Sequence, residues 1–235
     1  MPAVLTSLLL ALRQLFDGRV LVILLKSVAI SLVLFVLLAT GLWWGLDALL
    51  AGSGLADRLF PGAGAVREAL SLLLALLGLW LLWRIVAMAV IQFYADDVVL
   101  AVEARHYPAA GALAVDPPIA VQLSKALRGA GRALIVNLIA LPVALVLLVT
   151  GVGTALVFLL VNAVLLGREL QDMVWIRHAS AQVGGPPVGA GQRFALGFVI
   201  AALLALPFVN FLAPILGAGA ATHLVHRNMV KRNVA

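Results

Sequence analysis

Three polar positions mark the start of the first long apolar run of this chain: Gly18, Arg19 and Lys26, in the stretch DGRVLVILLK. A helix beginning there leaves its first N–H groups free and carries a partial positive charge at that end. An arginine in the first turn adds a planar donor suited to an oxyanion, so the pattern points to anion binding. The same side chains would also anchor a helix to phosphate headgroups on an acidic lipid face, and spacing alone does not separate the two uses. Asn162 and Asn210 interrupt apolar segments further along. Each can serve as a hairpin clasp or helix contact, or line a polar path.

Other chemistry finds little support. There is no Gly-rich loop of Walker spacing, no HExxH pattern and no Gly-x-Ser-x-Gly elbow. His223 and His226 stand at i and i+3, but no acidic residue follows Asp172, so a local metal site would lack a carboxylate. They read as interfacial histidines beside Arg227. The absence of cysteine removes disulfides and thiolate ligands. No catalytic residue, no metal and no cofactor is expected.

The elements that position these residues follow from composition. Of 235 residues, 64% are hydrophobic and 11% charged, with a mean hydropathy of +1.16. A soluble domain has roughly a quarter of its residues charged, so this is an integral membrane protein. Long unbroken apolar runs, in place of short alternating ones, make it all-α. Residues 1–19 read as an interfacial helix, with Leu5, Leu8, Leu9, Leu12 and Phe16 at helical spacing. Residues 20–51 and 69–95 are long enough to span. Trp43 and Trp44 form an interfacial anchor, and Arg84 lies deep in the second run. Residues 96–132 read as short cytoplasmic helices, with Lys125, Arg128 and Arg132 on one face.

Two further apolar regions, 133–167 and 194–226, are broken by Gly or Pro at TGVGT and at LPFVNFLAPILG. The arms of the first are about eighteen and about fourteen residues, short for a hydrocarbon core of about 30 Å. Each region reads as a helical hairpin that only partly crosses, followed by a basic tail at 227–235. Ordinary antiparallel helix pairs with tight turns fit the same pattern. Thirteen Lys and Arg residues flank the segments on one side, against Arg58 and Arg67 on the other. That bias puts both termini in the cytoplasm and matches anionic lipid headgroups, so the net charge of +6 needs no nucleic acid.

Three strings, DDVVLAVEARHYP, VNAVLLGRELQDMVWIRH and LPFVNFLAPILGAGAATH, together resemble the family that joins bacterial CysZ sulfate permeases with the eukaryotic etoposide-induced membrane protein. Their order matches as well, over roughly Leu12 to His226. The resemblance implies two long transmembrane helices, two partly inserted hairpins and a homo-oligomer in the bacterial inner membrane. It implies uptake of sulfate or a related oxyanion for sulfur assimilation, by a channel or with protons. In that family a Gly followed by two arginines binds sulfate; here Gly18 and Arg19 match, and the second arginine is missing. The resemblance also carries over Glu103, Arg105, Arg168 and Glu169 as motifs at the cytoplasmic mouth. A second expectation, a non-transporting membrane scaffold of the same fold, takes the missing arginine at face value.

Overall fold

A computed structural model describes residues 2–53, 76, 78–83, 85–87, 94–180, 184–206 and 209–234. Residues 54–75 with Arg58 and Arg67, most of the second apolar run with Arg84, and Pro207 lie outside the described residues. The described residues form helices and turns, with no strand among them. Three of the helical stretches are long and apolar enough to cross a membrane: Gly18–Gly41, Ile119–Thr150 and Val152–Trp175. The chain is an all-α membrane protein.

The fold divides into two compact units, residues 24–93 and residues 1–23 with 94–235. In the smaller unit, Ser27 and Ser31 are buried and turn their hydroxyls back onto the carbonyls of Leu24 and Ser27, both at 2.8 Å. Such bonds let a hydroxyl sit within an apolar helix without an orphaned proton. Phe35 meets Trp83 edge to face, with ring centroids 5.5 Å apart.

The larger unit is assembled around its final helix. In chain order its elements are α1 (Pro2–Gln14), the start of α2 (Gly18–Ser53), α3 (Ala95–His106), α4 (Pro108–Ala112), α5 (Ile119–Val146), α6 (Val152–Trp175), α7 (Ala190–Ala205) and α8 (Ala213–Val234). Residues 213–226 of α8 are buried on every side, polar Thr222, His223 and His226 included, and α1, α3, α6 and α7 pack against it. Small residues permit this: a Cβ on Gly219 would stand 3.3 Å from Ala11 of α1, and one on Gly217 would stand 3.1 Å from Leu170 of α6. Helix α1 buries Val4, Ser7, Ala11 and Gln14, while Leu5, Leu9 and Leu12 stay exposed, as does Phe16 in the turn after it. The inward stripe binds α1 to α8.

The first hairpin is longer than its apolar cores suggest. Helices α5 and α6 have 28 and 24 residues, since α5 begins back in the basic segment and α6 continues to Trp175. The expected boundary at 132 therefore falls inside a continuous helix, and both arms reach spanning length. A 3-10 turn at Leu147–Thr150 and Gly151, at φ 65°, form the tip. The Thr150 hydroxyl accepts from Gly153 N–H at 2.9 Å, and the Thr154 hydroxyl donates to the Ala144 carbonyl at 2.9 Å, tying the arms together. The second hairpin has arms of 16 and 22 residues. Pro214 occupies the first turn of α8, where its missing N–H costs no helical bond, and the basic tail is helical through Val234. Arg232 in that tail donates to the Gly185 carbonyl at 2.6 Å and lies over the Trp175 ring.

Helices α6 and α7 make the tightest crossing. A Cβ on Gly197 would lie 1.9 Å from the Ala163 carbonyl oxygen, and one on Gly167 would lie 2.0 Å from that of Arg193. Glycine at both positions lets the two backbones touch, which is how helices associate where lipid supplies no hydrophobic drive.

Candidate functional site

Helix α2 begins at Gly18, where a side chain would meet nothing within 4 Å, and Arg19 in its first turn is exposed. The N-terminal amides and the guanidinium are therefore open together. Val20, at the position of the missing second arginine, is buried and contributes to packing. Lys26 is exposed further along the same helix. Just before α2, Asp17 pairs with Arg105 of α3, so Arg105 neutralises the carboxylate beside this helix start.

Asn162 is exposed on α6, and its amide donates to the Phe158 carbonyl of its own helix at 2.8 Å. Among the described residues, no hydrogen bond joins its side chain to another helix or to a turn. Asn210 is buried in a 3-10 turn, Val209–Phe211, that is closed by backbone bonds from Asn210 N–H to Leu206 and from Leu212 N–H to Val209. Its side-chain oxygen is buried without a hydrogen-bond partner. Arg168 and Glu169 are exposed on α6. Glu169 reaches a cavity of about 890 Å³, which also receives Lys125, Arg128 and Arg132 from the shared face of α5, with Asp96, Asp172 and Arg177.

Glu103 has a different setting from that of a residue at a mouth. On α3 the buried positions are Ala95, Val98, Val99, Val102 and Glu103, a single helical stripe that carries the carboxylate inward with the valines. Arg177 Nη1 donates to Glu103 Oε2 at 2.6 Å. His178 Nε2 and His226 Nε2 approach the other oxygen, Oε1, at 2.8 and 3.1 Å. An ionised carboxylate only accepts, so each imidazole presents Nε2–H to Oε1 in this arrangement. Burial by itself would raise the Glu103 carboxyl, but the hydrogen bonds from His178 and His226, with the charges of His178 and Arg177, outweigh it and hold the group at about 2.

The other two histidines join the same region. The Tyr107 ring stacks on His226 with centroids 4.4 Å apart, and its hydroxyl lies 2.7 Å from His223 Nδ1. His106 lies edge-on to His223 at 5.3 Å and bonds through Nδ1 to Gln14 Nε2 of α1 at 3.0 Å. His178, His223 and His226 are thus buried beside α3, and His106, the exposed last residue of α3, adjoins them through His223. His223 and His226 are buried, where an interfacial position is expected from sequence. The carboxylate that their neighbourhood lacks arrives from α3, and the second imidazole beside it comes from His178 in the turn after α6. The sequence signals for this cluster are the apolar stripe that ends at Glu103 and the i, i+3 spacing of His223 and His226. Glu103 and its partners are distant in the chain, and no local spacing links them.

Residues 7–214 match the family model described as sulfate transporter CysZ/etoposide-induced protein 2.4. No curated protein and no solved structure matches the chain.

Proposed function

Because the chain belongs to the sulfate transporter CysZ/etoposide-induced protein 2.4 family, we propose that it is a permease for sulfate or a related oxyanion in the bacterial inner membrane. The observation that carries this reading is the start of α2: a membrane-length helix opens on an uncovered Gly18 with Arg19 exposed in its first turn. A dianion there accepts from the free N–H groups and the guanidinium at once. Selectivity comes from fixed donors and charge, and no covalent step is required.

In the working molecule both termini face the cytoplasm, basic flanks rest on anionic lipid headgroups, and identical chains assemble into an oligomer. Glu103 and Arg105 then act from within and beside the cytoplasmic end: Glu103 holds three segments together, and Arg105 cancels the charge of Asp17 next to the anion. Arg168 and Glu169 belong to the cytoplasmic side of α6, and Asn210 marks a polar point at the second hairpin tip.

Radiolabelled sulfate flux into liposomes containing the purified chain tests the reading, with sulfite and phosphate as competitors. Uptake above empty vesicles that drops in Arg19→Ala is expected. Uptake equal to that of empty vesicles, and unaltered by the substitution, would refute it and favour the scaffold role.

A further inference from the structure

We propose that Glu103, His178 and His226 form a binding site for a single divalent transition-metal cation of the Zn²⁺ class. Each residue offers one donor atom, the three atoms lie within 4.8 Å of one another, and all three residues are buried. In a tetrahedral zinc site, metal–ligand bonds of about 2.0–2.2 Å set neighbouring donors roughly 3.3 Å apart. Here the two imidazole nitrogens stand 2.8 and 3.1 Å from the shared oxygen. An outward shift of a few tenths of an ångström opens the centre of this fan to an ion.

The proton balance is simple. At each imidazole the proton leaves Nε2, for Nδ1 of the same ring or for water, and the freed Nε2 lone pair goes to the metal. Glu103 is already ionised and supplies the anionic ligand. Two imidazoles and a carboxylate, without thiolate, select late first-row divalent ions over Mg²⁺ and Ca²⁺.

The surroundings are those that orient metal ligands. Arg177 fixes the second carboxylate oxygen at 2.6 Å, and the Tyr107 ring lies nearly parallel to His226, at 15°. The guanidinium that aligns the carboxylate also opposes an added cation, so this is an exchangeable site, filled as free metal rises. Its ligands come from α3, from the turn after α6 and from α8. A bound ion would therefore lock three separate segments to one another.

The test is Co²⁺ titration of the full chain, without an affinity tag, in detergent after chelator treatment and removal. The expected result is about one Co²⁺ per chain with visible ligand-field absorption, displaced by Zn²⁺. His178→Gln and His226→Gln should each weaken binding by at least about tenfold, whereas His106→Gln should not. X-ray absorption of the Co²⁺-loaded wild type, which needs no variant to fold, should show two imidazoles among N/O ligands. Absence of Co²⁺ and Zn²⁺ uptake by the wild type would overturn the proposal. So would fewer than two imidazoles in the spectrum, or folded glutamine variants that bind as tightly as the wild type.

Discussion

Glu103 Oε1 and His226 Nε2 meet at 3.1 Å although 123 positions separate them in the chain. The pair closes α3 onto the central helix α8, and Arg177 and His178 bring the turn after α6 to the same carboxylate. A polar cluster this deep stabilises only while every member has its partner.

Glu103→Ala should therefore destabilise strongly. It leaves two buried imidazoles and the half-buried Arg177 guanidinium without their common acceptor, a loss of about 3–5 kcal/mol. Glu103→Gln keeps the shape and one acceptor oxygen, and should lose less, about 1–3 kcal/mol. Thermal unfolding followed by circular dichroism in detergent would rank the two; equal stability of Ala and wild type would show that the cluster holds nothing.

The same carboxylate sets an acid limit. It is held at about 2 in the fold, below its ordinary 4.5. Between these values the unfolded chain binds the proton that the folded chain refuses, so stability falls as pH falls. The contribution is complete above about pH 4.5 and is lost as pH drops toward 2. Chelator-treated wild type should lose stability through that window, and Glu103→Gln should show a shallower slope there. Parallel curves would contradict the assignment.

At the α6–α7 crossing the expected effect is steric. Gly197→Ala places a methyl 1.9 Å from the Ala163 carbonyl oxygen, which requires the backbones to part. The loss should be about 1–3 kcal/mol or more. Gly131→Ala, inside α5 where a Cβ meets nothing within 4 Å, should gain roughly 0.5–1 kcal/mol from reduced chain entropy. Comparing these two single-methyl additions separates close packing from a general intolerance of alanine.

Asp17 offers a test of anion affinity. Its carboxylate stands immediately before the free amides of α2 and is balanced by Arg105. Asp17→Asn removes a like charge from an anion at that terminus and should raise sulfate affinity about two- to fivefold at low ionic strength. Arg105→Ala should lower it, and added salt should shrink both effects. Sulfate binding by isothermal calorimetry reads each change; affinity indifferent to both substitutions would remove the helix start from the binding site.

Much of the architecture is legible in the sequence because membrane rules are local. Apolar run length marks α2, and the Gly151 turn is visible in TGVGT. The stripe of Lys125, Arg128 and Arg132 emerges on one side of one cavity. Arm length is hidden at the first hairpin: hydropathy measures where a helix turns polar, whereas α5 and α6 continue as helix past that point. The cluster at Glu103 is hidden for another reason. Its members are 75 and 123 positions from the carboxylate, and only the packing of α3 against α8 brings them together. Asn210 shows the remaining limit, since an amide between two prolines suggests a clasp, yet the turn is closed by main-chain bonds.

The central place of α8 has a consequence for biogenesis. This helix follows α1, α3, α6 and α7 in synthesis, yet each of them buries its inner face against it. During translation those four segments are made before the helix that covers their inner faces. The nascent chain can settle into its final packing only once residues 213–226 have left the ribosome and slid between partners that were made first.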